Sequence, residues 1–484
     1  MAAVLLKAME PQPLSPSNGG LQRTAIKPLH ARKPIERCVI GSSSDDSLQD
    51  TAKYKSVRRY RSRQVARGYT LSNLTVHPVG HLEPRTVVLA QTDGHQVEEA
   101  APYDTLALSA LIHMKKVLHI LSSLQRSGME MMLLCSYPEW IENGYKCDIL
   151  ATASDRGILA DDLQSAGYSI HHLPFRGRLR YLPSVNFMLG YWRLCRSGYD
   201  IVHIHTEAAT PLFALIAKLA GVGQLAITPH NTFRFAGVLR LRKYMERAFL
   251  RRLGAHYGMI SEDVSKCEEE LYNNRGTRTV NWYNSNHFIP GAEIDRSKAR
   301  ELLQISEETV VIVSVGNCNN AKNHEALLRA IPLLPADIPI VYFHLGKEPA
   351  ENPERGLAVS LGIIDRVQFM GTQKDPLFFF RAADIFVMPS LWEGMPISAI
   401  EAIAAGVPSV LANVAGLREV ASYAKNILLV TPEPVFLAQG IQKIATMAKA
   451  ERLSKALEDS NRIRTTFSIQ NGVKSVVVGL YNRI

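Results

Sequence analysis

Two glutamates, Glu393 and Glu401, are separated by seven intervening residues in the segment "SLWEGMPISAIEAIAAGVPSV". Pro396 suits the first turn of a helix, where a missing N–H costs nothing, and Gly406 suits its end. The segment therefore predicts a strand, a loop, a helix and a second strand. The loop amides and the positive end of the helix would form an anion site. Glu401, two turns along the helix, offers two acceptor oxygens to a vicinal diol.

This order of groups outlines a ligand with a sugar, a diphosphate and a ribose in series, which is a nucleotide sugar. Glu393 would reach the group attached to the phosphate, and Glu401 would reach the ribose. Carboxylates are also common at helix starts and on surfaces. From the spacing alone, that second interpretation stays open.

The elements that position these residues alternate along the chain. Apolar runs such as "VLHIL", "KCDILA", "SIHHL", "IVHIH" and "LAITPH" are separated by helix-like segments, and Pro290 and Gly291 mark a boundary. After it, "TVVIVSVG", "IPIVYFHLG", "DRVQFMG", "ADIFVMPS", "PSVLAN" and "NILLV" repeat the pattern. Strand and helix in turn predict an α/β fold of two doubly wound domains with ligands at the strand ends. We expect domains at 114–292 and 293–470, and a helix over 471–484 that crosses back to the first.

Neither half carries G-x-G-x-x-G after its first strand, which disfavours a dinucleotide-dependent dehydrogenase. The six cysteines form no C-x-x-C pair or metal-ligand spacing, so a reducing, cytoplasmic compartment is the simplest expectation. No window reaches the roughly 18 apolar residues of a membrane span. The net charge of +10 is spread along the chain, and we expect no nucleic-acid partner.

Residues 1–113 differ from the rest. They are rich in Pro, Ser and Gly near the start and carry the basic stretch "KYKSVRRYRSRQVAR", which favours a partly disordered extension with a solvated basic segment. Met114 opens "MKKVLHILSSL", which is typical of a protein start. We therefore expect the catalytic unit to begin at Met114.

Ser390–Glu419 closely resembles the E-x7-E segment of the retaining glycosyltransferases of family 4, which have the GT-B fold of two facing Rossmann-like domains. The likeness extends over most of 114–484. It implies that Glu393 contacts the donor sugar and that Glu401 holds the donor ribose. It also implies that the backbone of Gly394, Met395 and Pro396 receives the phosphates.

Further segments carry the same resemblance. "VGNCNNAKNHE" is similar to the family's G-R-L-x-x-x-K-N, which makes Gly316 a strand-end residue and Lys322 the diphosphate cation. Asn317 replaces the usual arginine, so the loop amides or another arginine must compensate. "VQFMGTQKD" resembles the loop lining the nucleobase and implies a role for Gly371 and Thr372.

In the first half, "HILSSLQRSGMEMMLL" resembles the family's glycine-rich loop, with Ser127–Gly128 in place of a Gly-Gly pair. "YDIVHIHTEAA" resembles the strand whose terminal histidine faces the donor sugar, which we assign to His205, with His203 behind it on the same strand face. Buried structural histidines remain the alternative. "TPHNTFRF" adds His230 and Asn231 as cleft residues.

Several segments, including "ITPHNTF", are most similar to the exopolysaccharide and capsular-polysaccharide branch. The resemblance implies retaining transfer from a nucleotide sugar, commonly a uridine diphosphate sugar, to a glycan that is often lipid-linked at the cytoplasmic face. It implies catalytic roles for Glu393, Lys322 and His205, no cofactor and no metal. A sugar-nucleotide epimerase of the same fold and a catalytically silent sugar- or partner-binding protein are the alternatives.

A second basic segment, "FRFAGVLRLRKYMERAFLRRLG", predicts an amphipathic helix with Arg240, Lys243, Arg247 and Arg251 on one face. Such a face can attract an anionic membrane. We therefore expect peripheral binding at the inner face of the cytoplasmic membrane. A domain helix with a solvated charged face is the alternative.

Overall fold

The computed structural model describes residues 114–175 and 184–482, and the backbone of two short antiparallel strands, Thr75–Val76 and Leu89–Ala90. The other predictions for residues 1–113 lie outside the described residues. None of the helices within this described part is long and apolar enough to cross a membrane.

The first domain is built on a parallel sheet of seven strands in the order β3-β2-β1-β4-β5-β6-β7. Its elements are β1 Lys115–Leu121, α1 Gly128–Glu142, β2 Tyr145–Ala151, α2 Ala160–Ala166, β3 Ser169–His172, α3 Val185–Cys195, β4 Ile201–Ile204, α4 Thr210–Leu219, β5 Gln224–Ile227, α5 Gly237–Arg252, β6 Ala255–Met259, α6 Glu262–Tyr272 and β7 Thr277–Arg278.

The second domain has a parallel sheet of six strands in the order β10-β9-β8-β11-β12-β13. Its elements are α7 Glu293–Leu302, β8 Val310–Val315, α8 His324–Ala330, β9 Ile340–Leu345, α9 Pro353–Ser360, β10 Val367–Phe369, α10 Leu377–Ala382, β11 Ile385–Met388, α11 Ile397–Ala404, β12 Ser409–Ala412, α12 Leu417–Ser422, β13 Leu428–Val430, α13 Pro434–Ala445, α14 Lys449–Thr466 and α15 Ile469–Val476. Short 3₁₀ turns occupy Ile331–Leu333 and Ile364–Arg366, and a π turn occupies Val477–Tyr481.

Both sheets reverse their strand order once, between β1 and β4 and between β8 and β11. In an open parallel sheet, the carboxyl ends of the strands at such a reversal border a crevice that binds ligands. The central strands are buried along their length because helices cover parallel sheets, which is why they read as continuous apolar runs.

The chain returns to the first domain at its end. α14 packs against α11, and α15 packs against α1. Ser475 accepts a hydrogen bond from the amide of Val280 at 2.9 Å, and the Tyr481 hydroxyl lies 2.7 Å from Nδ1 of His203. This last segment therefore connects the second domain to residues beneath the crevice of the first.

The α/β fold class with two doubly wound parallel sheets is confirmed, and every strand predicted within 114–430 is present. The edge strand β7 and its neighbour β6 were not predicted. β6 reads "AHYGM", with small and polar residues in place of a β-branched run, and β7 has two residues.

Candidate functional site

A cavity of about 1190 Å³ lies between the strand ends of the two domains. Most of the predicted site residues line it: Ser127, Gly128, His205, His230, Gly316, Asn317, Lys322, Thr372, Glu393, Met395, Pro396 and Glu401. Three do not. The side chain of Asn231 accepts from the amide of Thr232, the carbonyl of Gly371 accepts from Gly346, and Gly394 lies in a contact between the domains.

Two glycines permit that close contact. A Cβ at Gly394 would overlap the carbonyl oxygen of His230 in the first domain, and a Cβ at Gly128 would lie 3.1 Å from Cγ1 of Ile397 at the start of α11. The loop before α11 therefore faces the glycine loop after β1. The amino end of α11, with its free backbone N–H groups, borders the cavity there.

Lys322 and Glu393 form an ion pair at the strand ends of the second domain. Nζ of Lys322 lies 2.6 Å from Oε1 of Glu393, and the hydroxyl of Ser390 donates to the same oxygen at 2.8 Å. The side-chain amide of Asn323 donates to the carbonyls of Pro389 and Pro432, each at 3.0 Å, and so fixes the loop that carries Lys322 beside the end of β11.

Asn317 has a structural contact in the place where the resemblance expects an arginine. Its side-chain oxygen accepts from the amide of Lys347 at 2.9 Å. Among the lining residues, Arg126 and Lys374 are further cations. Arg126 donates to the carbonyl of Lys374 at 3.1 Å and pairs with Asp162 at 3.5 Å, so it reaches across the cavity between the domains.

Glu401 is 8% exposed and lines the cavity from α11. Its carboxylate has no hydrogen-bond partner among the described residues. Burial raises the pKa of Glu401 to about 8, with a further contribution from the charge of Asp375. A buried carboxyl group without a partner carries a desolvation cost that a hydroxylated ligand would relieve.

Four histidines lie together at one side of the cavity, and two of them, His205 and His230, line it. Nδ1 of His119 lies 3.0 Å from Nε2 of His205, and Nδ1 of His205 lies 2.9 Å from Nε2 of His230. His203 contacts the hydroxyls of Tyr481 and Thr228 at 2.7 and 2.8 Å. Burial lowers the pKa of His119 to about 3 and of His230 to about 4, and it lowers the pKa values of His203 and His205 well below their usual range.

His119, His203 and His205 offer ring nitrogens close enough together for a metal ion. Both ring nitrogens of His203 and of His205 are already engaged in the hydrogen bonds just described. A metal would have to replace several of these bonds, so the described geometry fits a row of neutral imidazoles better than a ligand set.

Two family models match the chain. Residues 126–264 match Glycosyltransferase Family 4, and residues 295–460 match Glycosyl transferases group 1. The chain carries two glycosyltransferase domains. The first matched range contains His205 and His230, which follow β4 and β5. The second contains Lys322, Glu393 and Glu401.

Relatives and solved structures agree with this assignment. EpsF of Bacillus subtilis, which is named as a glycosyltransferase, is 28% identical over 315 residues, covering 62% of this chain and 79% of EpsF. The UDP-Gal:alpha-D-GlcNAc-diphosphoundecaprenol alpha-1,3-galactosyltransferase of Escherichia coli is 24% identical over 317 residues, covering 62% and 79%. Anabaena HepE, solved in complex with UDP and glucose, has a TM-score of 0.64 at 16% identity, covering 76% of this chain and 100% of HepE. The GT-B fold is thereby shown.

The prediction that Arg240, Lys243, Arg247 and Arg251 form one basic face of α5 is wrong. Lys243 and Arg247 are only 5% and 2% exposed. Arg247 makes paired hydrogen bonds to Glu207 and to Glu268, and Lys243 lies 3.1 Å from Glu207. Arg240 is exposed and Arg251 is half-buried, so the four cations do not form one surface.

The reason is that periodicity defines the faces of a helix but does not say which face is buried. Glu207 follows the histidine strand β4 and lines the cavity, and Glu268 lies on α6. The buried cations thus neutralise two acids and hold the loop after β4 against α5. Their role in the structure is to support the site from behind.

Arg247→Gln is expected to lower the free energy of unfolding by about 3–5 kcal/mol, because it leaves Glu268 buried without its partner. Arg242→Gln on the same helix removes an exposed ion pair with Glu246 and should change the free energy of unfolding by less than about 1 kcal/mol. Urea unfolding of both variants measures the difference. Equal, small effects would show that the buried pair does not stabilise this fold.

Sequence reasoning missed several residues that line or support the site. His119 lies in the middle of β1, inside an apolar run, and only the pairing of His119 with His203 across β1 and β4 reveals it. Arg126 and Glu130 flank the predicted Ser127–Gly128 loop, and both line the cavity. The polar sequence "QRSGME" directly after a buried strand was the available signal for these two.

Proposed function

We propose that this glycosyltransferase moves a sugar, with retention of configuration, from a uridine diphosphate sugar to a glycan in cell-surface polysaccharide biosynthesis. The ion pair of Lys322 with Glu393 beside the amino end of α11, with the unpaired Glu401 in the same cavity, carries the proposal. Support also comes from the UDP and glucose bound by HepE and from the names of relatives such as the capsular polysaccharide biosynthesis glycosyltransferase CapH of Staphylococcus aureus.

Each part of the donor has a matching group. The diphosphate takes the N–H groups at the start of α11 and the ammonium of Lys322, because both favour negative charge. The ribose hydroxyls donate to Glu401, whose oxygens lack a partner. Glu393 hydrogen-bonds the hydroxyls of the transferred sugar, and Thr372 borders the nucleobase.

In the reaction, the bond between the anomeric carbon and the phosphate oxygen breaks, and the electron pair stays on the phosphate. The acceptor hydroxyl attacks the oxocarbenium-like carbon from the same face, and its proton passes to the leaving phosphate oxygen. No side-chain base is then needed. Donors held in place around a developing charge usually supply the largest part of catalysis.

Arg126 is the cation that we propose in place of the arginine missing at position 317. It lies one residue before Ser127 in the loop that meets the start of α11. Since a hydrogen bond to a charged group contributes about 1.5–3 kcal/mol, Arg126→Met should raise the dissociation constant of UDP roughly ten- to hundredfold. Arg156→Met, which removes a cation paired with Asp161 outside the cavity, is the control. Unchanged calorimetric affinity in Arg126→Met would exclude Arg126 from the phosphates.

A donor screen tests the proposed reaction. Release of UDP is measured from several uridine diphosphate sugars, with and without a lipid-phosphate extract as acceptor source. A transferase consumes the donor only with an acceptor and yields a retained linkage, an epimerase converts it without one, and a silent protein binds it unchanged. The same assay in EDTA tests the proposal that no metal takes part, and a complete loss restored by magnesium would contradict it.

We further propose that the acceptor is lipid-linked and that α5 contacts an anionic bilayer with the face opposite its buried cations. Val238, Leu241 and Met245 are 85%, 64% and 57% exposed and share one stripe of the helix. The exposed Arg242 lies beside this stripe, and the exposed Arg252 lies in line with it at the last turn of the helix. Apolar side chains flanked by arginine suit the boundary between acyl chains and anionic headgroups.

Cosedimentation with phosphatidylglycerol vesicles tests this contact. Leu241→Glu with Met245→Glu should abolish binding, because the carboxylates would meet both hydrocarbon and like charge. Val435→Glu with Phe436→Glu alters two exposed apolar residues of the second domain and should leave binding intact. The proposal would be contradicted if wild-type binding did not depend on lipid charge and salt. It would also be contradicted if the variant with Leu241→Glu and Met245→Glu still bound the vesicles.

A further inference from the structure

A row of three histidines runs from the interior of the first domain to the cavity. His119 lies in the middle of β1, His205 follows β4, and His230 follows β5. The two hydrogen bonds between their rings measure 3.0 and 2.9 Å. His205 and His230 line the cavity, whereas His119 does not. His119 therefore reaches the site only through its neighbour.

Because burial keeps all three rings neutral, each ring carries a single N–H. Each hydrogen bond in the row needs one N–H and one bare nitrogen, so the protons of all three rings must point the same way along the row. Two arrangements are possible. In one, His119 donates to His205 and His205 donates to His230. In the other, both bonds are reversed.

The inner end of the row favours the first arrangement. Nε2 of His119 is buried and has no hydrogen-bond partner within residues 114–175 and 184–482. In the reversed arrangement this nitrogen would carry an N–H, and unpaired buried N–H groups are rare in folded proteins. With the proton on Nδ1, His119 donates its single N–H to Nε2 of His205.

The outer end then presents a donor. His205 uses both ring nitrogens within the row and cannot give a ring N–H to a ligand. His230 accepts at Nε2, so its proton is on Nδ1, which has no partner among the described residues. His203 packs against His205 with ring centroids 4.0 Å apart and is itself fixed by Tyr481 and Thr228, which limits rotation of His205.

We propose that His119 is a positioning residue that sets the proton positions of His205 and His230, so that His230 presents its Nδ1–H to a sugar hydroxyl in the cavity. The inference rests on the proposed function only in placing a donor sugar there. The proton positions themselves are a property of the free protein. They can be tested whether or not sugar transfer is observed.

The kinetic test compares His119→Phe with His119→Asn. Phenylalanine removes the donor, so kcat should fall roughly tenfold, the effect of one misdirected hydrogen bond, while the dissociation constant of UDP, which lacks the sugar, stays unchanged. The amide nitrogen of asparagine replaces Nδ1 of His119, so His119→Asn should restore kcat to within about threefold of the wild type. His344→Phe removes a buried histidine of the second domain that is outside the cavity and serves as the packing control.

Wild-type protein labelled with ¹⁵N-histidine allows the proton positions to be measured without catalysis. Long-range ¹H–¹⁵N spectra, assigned with His230→Gln, should show the His230 proton on Nδ1, and this signal should change in His119→Phe. A proton on Nε2 of His230 would overturn the proposal, as would equal kcat values for the Phe and Asn variants. A loss of UDP affinity parallel to the loss of kcat would reduce His119 to a packing role. Stoichiometric zinc retained through dialysis would replace the row with a metal site.

Discussion

Lys322→Ala is expected to lower the rate of sugar transfer by roughly 10²–10³-fold, the usual cost of removing one fixed donor from a developing negative charge. The same change should weaken UDP binding, because Glu393 would lose its cation and stand unpaired beside the phosphates. The ion pair of 2.6 Å thus makes the two residues energetically dependent on each other.

Glu393→Ala should behave differently. It should reduce transfer to a similar extent, because the sugar loses its contact, but UDP should bind as well as to the wild type or better, since Lys322 becomes free for the phosphates. The double variant should therefore bind UDP more tightly than Lys322→Ala alone. Calorimetry and UDP release measure the two effects separately.

Arg329→Ala is the matched control, because Arg329 makes an exposed pair with Glu325 on α8, seven residues from Lys322. It should change neither quantity. Wild-type turnover by purified Glu393→Ala or Lys322→Ala would remove these residues from the mechanism. Additive effects on UDP affinity in the double variant would show that the ion pair is not maintained in solution.

The strands were predictable because parallel strands covered on both faces are continuous apolar runs, and the residues directly after them were predictable as candidates for the same reason. Lys322, Glu393 and His205 follow β8, β11 and β4, which border the two reversals of strand order. The strand order itself depends on pairing between distant segments. The sequence could therefore place these residues at strand ends, but not at neighbouring ones.

What the sequence could not predict is set by contacts between distant residues. The inward face of α5 depends on Glu207 and Glu268, which lie 40 and 21 residues from Arg247. The role of His119 depends on His205, which is 86 residues away. In both cases the local pattern was ambiguous: α5 has cations on several faces, and a histidine inside an apolar strand resembles a core residue.

Glu401 gives the second large expected effect, and it depends on pH. With a pKa of about 8, most Glu401 is protonated at pH 7, yet the ribose diol donates hydrogen bonds best to the ionised form. UDP binding should then release a proton and tighten as pH rises through 8. Ionising the group at pH 7 costs about 1.4 kcal/mol, so UDP affinity should rise about tenfold between pH 7 and pH 9.

Neighbouring groups should not produce this dependence. Burial raises the pKa of Cys135 to about 12 and raises that of Tyr283 as well, so neither titrates in this window. Glu401→Gln should remove the pH dependence and, at pH 9, raise the dissociation constant of UDP roughly ten- to hundredfold, since a hydrogen bond to a charged group is lost. Glu325→Gln, at an exposed position of α8, is the control.

The raised pKa of Glu401 also predicts that Glu401→Gln is more stable than the wild type at high pH. The pKa of Glu401 in the folded protein lies above its ordinary value of 4.5, so the folded state holds the proton more tightly and loses this advantage as pH rises towards 8. Above pH 8 the wild type keeps a buried charge, and Glu401→Gln does not. The variant should therefore melt at a higher temperature than the wild type at pH 9, with a smaller difference at pH 5. Two results would contradict this argument: a UDP affinity of the wild type that is constant between pH 7 and 9, and a Glu401→Gln variant that melts no higher than the wild type at pH 9. Together they would mean that Glu401 is solvated and does not contact the ribose.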